Sequence, residues 1–116
     1  MGFMKNFLSA LKKVPNYKGE IIIKRPNDEV LREGIKSLYG GLGKRFLGRT
    51  VVDTSTLLQF ESGSGENVER EKFSFIYVDP NTTKIVIDVF MGNSNAENMF
   101  NMIVEELTKN VFPGQF

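Results

Sequence analysis

Between Lys72 and Val111 the chain alternates, turns, alternates again and then changes period, and the remaining segments must fit around that unit. Phe73, Phe75 and Tyr77 alternate with Lys72, Ser74 and Ile76, the period of two that places one set of side chains on one sheet face. Asp79-Pro80-Asn81-Thr82 supplies turn chemistry, because Pro fixes φ while Asp and Asn bond locally to the backbone. Ile85, Ile87 and Val89 then resume the alternation. Ser94-Asn95-Ala96-Glu97 has the pattern of a capping box, and Ala96, Met99, Phe100, Ile103, Leu107 and Val111 follow at helical spacing. The unit is a hairpin with a helix to cover it. Its expected inner set is Phe73, Phe75, Tyr77, Ile85, Ile87 and Val89.

Upstream, residues 3–14 read as an amphipathic helix, with Phe3, Met4, Phe7, Leu8, Leu11 and Val14 on one side and Lys5, Asn6, Ser9, Lys12 and Lys13 on the other. Pro15 ends it. Glu20 to Arg25 reads as a β-branched strand, and the three isoleucines at 21–23 suggest burial on both faces. Pro26-Asn27-Asp28-Glu29 starts a helix over 27–39 whose stripe is Val30, Leu31, Ile35, Leu38 and Tyr39. Gly40 and Gly41 stop it. Thr50 to Glu61 reads as one long strand, with Val52, Leu58 and Phe60 on one parity and Val51, Leu57 and Gln59 on the other. Residues 62–67 are a Ser/Gly-rich loop. The order α-β-α-β-β-β-α predicts an α+β fold in two layers. We expect a four-stranded, mainly antiparallel sheet with helices 27–39 and 95–111 on one face. The short N-terminal helix, 1–15, precedes a single domain over 16–116.

Composition narrows the chemistry. The 116 residues suffice for one domain with a core of its own. Neither Cys nor His is present, which removes the thiolate nucleophile, the disulfide, the commonest general base and the commonest metal ligand. No cofactor is called for by any motif. No apolar run approaches the roughly 20 residues of a membrane span, and the amphipathic N-terminus is unlike a secretory signal, so a cytoplasmic location is the expectation. The net charge of +1 hides an asymmetry: residues 1–50 carry 11 Lys/Arg against 4 Asp/Glu, and residues 51–116 carry 4 against 10.

Three surfaces invite function. The first is a Gly-rich, basic stretch after the second helix, with Lys36, Gly43, Lys44, Arg45 and Arg49 as anion-binding candidates. Phe46 and Leu47 lie between those cations, either as core anchors for the loop or as side chains that could enter a membrane surface or stack on a base. This is not a P-loop: Arg45 stands where Ser or Thr is needed, and the stretch follows a helix rather than a strand. Gly40-Gly41-Leu42-Gly43 resembles the GxxG loop of KH domains in its spacing and in following a strand and a helix. It departs from that pattern in what comes next, since Lys44 to Arg49 is too short for a full helix and runs into Gly48.

The second surface is the other sheet face, where Ile76, Val78, Val86 and Phe90 form an interface candidate among Ser74, Lys84 and Asp88, with Ile22 and Leu57 as possible additions. The third is a set of strand carboxylates, Asp53, Glu61 and Asp88, of which Asp53 and Asp88 fall on parities that can share the outer face and hold Mg²⁺. The expected function is a non-enzymatic interaction module working through the apolar sheet face, with a protein partner or a homodimer. The alternative is a binder of an anionic surface, membrane or nucleic acid, through the basic half. A metal-dependent enzyme ranks third.

Overall fold

A computed structural model of the chain describes residues 14–41, 50–62, 69–91 and 95–116. The expected N-terminal helix lies outside the described residues up to position 13. The elements run β1 (Tyr17–Ile23), α1 (Glu29–Gly41), β2 (Thr50–Asp53), β3 (Leu57–Ser62), β4 (Glu69–Asp79), β5 (Thr82–Phe90) and α2 (Ala96–Glu106). The fold is α+β. Its sheet has the order β1-β5-β4-β3-β2, every neighbouring pair antiparallel. β1 and β2 are therefore the two edges, and α1 carries the chain from one to the other.

The sheet has five strands rather than four. The expected long strand over 50–61 breaks because Thr54 closes a turn on itself. Its hydroxyl oxygen accepts from the Leu57 N–H at 3.1 Å, and its own N–H donates to the Leu57 carbonyl at 2.8 Å. Asn27 Nδ2 fastens that turn by donating to the Ser55 carbonyl at 2.8 Å. The break also changes which residues share a face. Val51 pairs with Phe60 and Val52 with Gln59, so Val51, not Val52, lies on the face of Leu58 and Phe60.

One face of the sheet carries the core. Directly paired residues share a face, so the register sets Gly19, Ile87, Phe73 and Leu58 in one row and Tyr17, Val89, Glu71 and Phe60 in the next. Leu31, Ile35 and Leu38 of α1, with Ala96, Met99 and Ile103 of α2, join these strands in a single buried cluster. Asp28 starts α1 by accepting the Leu31 N–H at 3.0 Å. Asn95 stands at the N-cap of α2 with no side-chain capping bond, and Ser94 of the expected capping box lies outside the described residues.

Four details of the expected pattern change. Val30 sits on the exposed side of α1. β1 begins at Tyr17 and ends at Ile23, and as an edge strand it buries Ile23 while Ile22 stays exposed. Tyr77, expected inside, is 72% exposed, because the β4–β5 hairpin runs on past the helices that cover Phe73 and Phe75. Finally, α2 widens after Glu106 into a turn over Leu107–Val111, closed by the Phe112 N–H donating to the Leu107 carbonyl at 2.8 Å.

That wide turn delivers Phe112 to the core. Its ring lies against Gly34 of α1, where a Cβ would collide with it, and beneath the Arg25 guanidinium at 4.8 Å. The last residues then return to β1, with the Lys24 N–H donating to the Gln115 carbonyl at 2.6 Å and Arg25 Nη1 donating to Gln115 Oε1 at 3.1 Å.

Phe73→Ala is expected to cost about 3–5 kcal/mol in urea unfolding, as for a large side chain lost from a packed core. Tyr77→Ala is expected to cost less than about 0.5 kcal/mol, as for an exposed position. Equal costs would contradict the placement of the hairpin tip.

Candidate interaction surface on the open sheet face

The face turned away from the helices is patterned by rows. Nearest the β4–β5 turn, Lys84 of β5 pairs with Ile22 of β1 on one side and Ile76 of β4 on the other. The next row is Glu20, Val86, Ser74 and Leu57, and the one after it Lys18, Asp88, Lys72 and Gln59. At the far end Phe90 pairs with Arg70, and Arg70 with Glu61.

Three pairs of opposite charge lie within this face. Lys84 Nζ lies 3.0 Å from Glu20 Oε2 and Arg70 Nε 2.9 Å from Glu61 Oε2. Lys18 Nζ stands 3.7 Å from the nearly buried Asp88 Oδ1, close enough for charge attraction but too far for a hydrogen bond. The Arg70 guanidinium also lies over the Phe90 ring at 5.3 Å.

The four interface candidates consequently do not form one patch. Phe90 is half-buried under Arg70 at one end, and Val86 is half-buried between Glu20 and Ser74. Ile76 and Val78 are exposed at the other end, beside the hairpin tip. There Ile22, 53% exposed, and Ile76, 44% exposed, flank Lys84 on adjoining strands. A bulge between Tyr77 and Asp79 makes Val78 the extra residue of β4, and Asp79 Oδ1 accepts the Asn81 N–H at 2.8 Å to tighten the turn. Exposed apolar side chains thus gather at this end. Sequence reading gave Ile76 and Val78 by parity, but the position of Ile22 opposite them depends on β1 pairing with β5, which no local pattern encodes.

Of the anion-binding candidates, Gly43, Lys44, Arg45 and Arg49 lie outside the described residues. Lys36 is committed elsewhere. Its ammonium bonds Asp53 at the end of β2 and reaches Glu33 Oε1 at 3.1 Å. Arg32 Nε approaches the same Asp53 carboxylate at 3.3 Å. The three side chains fasten α1 to the edge strand. Hydrogen bonding to Asp53, then to Glu33, holds the Lys36 ammonium above its ordinary pKa of 10.5.

The carboxylates are not brought together either. Asp53 pairs with Leu58 and so belongs to the helix-covered face, whereas Asp88 follows Ile87 onto the open one. Among the described residues no group of three or more acidic side chains is placed to hold a metal ion. Sequence reading overlooked Glu71, which is fully buried on the inner face and engaged there. Its odd parity with Phe73 and Phe75 was the available signal.

On the helical side, an open groove of about 710 Å³ separates α1 from the end of α2, lined in part by Glu29, Val30, Glu33, Glu106, Val111 and Phe112. No helix among the described residues is long and apolar enough to cross a membrane. No protein-family model matches the chain, and no curated protein matches it.

The Lys36 linkage has a definite sign. A folded pKa raised above the unfolded value gives stability that is complete below about pH 10.5 and is lost as pH climbs through the folded value. The difference in urea midpoint between the parent chain and Lys36→Met is expected to be constant from pH 7 to 10 and to shrink above 10.5. A difference that persists unchanged at higher pH would show that the ammonium is not what Asp53 holds.

Proposed function

We propose that this chain is a non-enzymatic protein-interaction module whose contact surface is the hairpin end of the open sheet face. The observation that carries this reading is the grouping of Ile22, Ile76 and Val78, all exposed, where the sheet extends beyond its helices. An apolar group of this kind, bordered by charges, has the anatomy of an interface centre with its rim. Lys84, between Ile22 and Ile76, is already paired with Glu20, so a partner that covers the apolar group need not strip an isolated charge of water. Ile76 and Ile22 supply the anchors.

The separation of Asp53 from Asp88, and the engagement of Asp53 by Arg32 and Lys36, support a binding role over acid–base or metal chemistry at those carboxylates. The partner is a protein with an apolar surface of its own.

Capture on the immobilised full chain should recover a protein whose retention falls at least about tenfold, some 1.4 kcal/mol, when the bait carries Ile76→Asp. Phe90→Ala, at the far end of the same face, should leave retention unchanged. Equal capture by the parent chain and Ile76→Asp would remove this surface from consideration. Turnover of any substrate that disappears in Asp53→Asn or Asp88→Asn would overturn the non-enzymatic reading.

A further inference from the structure

β1 is an edge strand of seven residues, and its charges alternate in a way that complements a second copy of itself. Edge strands with free backbone groups are templates for pairing, and proteins that must stay single protect them with bulges, Pro or unpaired charge. β1 from Tyr17 to Ile23 contains no proline and pairs with β5 in unbroken register. Just beyond it the Lys24 N–H donates to the Gln115 carbonyl, and among the described residues no strand pairs with the outer edge of β1.

We infer that two copies of this chain join antiparallel through β1, about a twofold axis at Gly19, to make one continuous ten-stranded sheet. The charges and the bonded Lys24 N–H together select this register. With the axis at Gly19, Lys18 of each copy stands opposite Glu20 of the other, giving two ion pairs. With the axis at Glu20, the two Glu20 carboxylates oppose one another. With the axis at Ile21, Lys18 meets Lys24. Like charges directly opposite in an antiparallel pair are unfavourable, so those two registers are penalised, and an axis at Ile22, which would set Glu20 opposite Lys24, runs the ladder into the Lys24 N–H that already donates to Gln115.

The surroundings fit the first register as well. Lys18 and Glu20 side chains are 61% and 59% exposed, so both are available at the edge. Lys18 of one copy then lies between its own Asp88 and the second copy's Glu20, and Glu20 between its own Lys84 and the second copy's Lys18. The row of alternating charge simply continues across the junction. On the inner face Tyr17 falls opposite Ile21 of the second copy, and both are half-buried in the single chain with apolar surface left to cover. Gly19 on the axis carries no side chain, and Phe100 of each copy lies over it. Exposed ion pairs contribute little affinity, so Lys18 and Glu20 fix the alignment, while backbone bonding and apolar contact hold the copies together. The surface proposed for a protein partner stays uncovered in this dimer, and the assembly carries two of them.

The experiment is light scattering on the full chain over a concentration series, with Lys18→Glu, Glu20→Lys and an equimolar mixture of the two variants. Each variant alone sets like charges opposite one another and should dissociate at least tenfold more readily than the parent chain. In the mixed dimer both pairs are again opposite in sign, so mixing should restore association. Intrachain losses at Asp88 and Lys84 are the same before and after mixing and cannot account for recovery. Hydrogen exchange gives a readout on the unaltered chain, since β1 amides that point away from β5 should gain protection as concentration rises. A chain that is monomeric at millimolar concentration overturns the inference. So does a dimer that both variants keep unchanged, a mixture that fails to recover, or a dimer lost with Ile76→Asp, which would place the contact on the open face instead.

Discussion

The pairing of Phe73 with Ile87 is the contact on which the rest of the fold depends. Both side chains are fully buried, and they sit in the middle of the two longest strands. Once those strands are in register, every other inner position follows by the period of two: Phe75 and Glu71 on β4, Ile85 and Val89 on β5. A slip of one residue would send the aromatic set to the open face and bring Lys72 and Ser74 under the helices, so one face being buried specifies the register strongly. α1 and α2 each add an apolar stripe to that inner surface, and neither could be stable in water without it.

The sequence was most legible where local chemistry and burial agree. The β4–β5 hairpin and Asp28 at the start of α1 combine turn or capping residues with the right hydrophobic period, and the stripe Met99, Ile103, Leu107 was legible from its period alone. It was least legible at residues 54–56. Thr has a high strand propensity, so three hydroxyl residues within a β-branched run look like continued strand. What breaks the run is a side chain bonding its own backbone, secured by Asn27 from far away in sequence. Tyr77 was misplaced for another reason: period alone gives the face a residue occupies but not how far the cover extends. Of the candidate surface, Ile76 and Val78 could be read from parity and Ile22 named as a possible addition, while its place beside Lys84 and Ile76 depends on the long-range β1–β5 pairing.

Charge tells a similar story of internal use. The basic first half and acidic second half meet in cross-element pairs: Arg32 and Lys36 with Asp53, Lys18 with Asp88, and, running the opposite way, Glu20 with Lys84. These pairs tie α1 to β2 and β1 to β5, the two junctions farthest apart along the sheet. Among the described residues, part of the asymmetry in the sequence is the imprint of which segments become neighbours. A cation-rich segment read alone suggests an anionic ligand, but Lys36 shows how a carboxylate from the other half can take that place.

The position of β1 also bears on the order in which the structure can form. β2 to β5 are joined to their neighbours by short returns, so their ladders close small loops and can zip progressively from the β4–β5 turn. Tyr17 pairs with Val89 across almost the full intervening chain, and no β1 contact with the sheet is possible until β5 exists. Closing so long a loop is entropically slow compared with hairpin formation. The four-strand meander is therefore expected to form ahead of β1, whose docking brings with it the Ile23 side chain and the anchor for the returning tail. Until that docking, the edge of β5 is open, and the same row of backbone groups that later receives β1 is available to any other extended segment. Folding of this chain is thus a competition for one strand edge, which its own first strand must win.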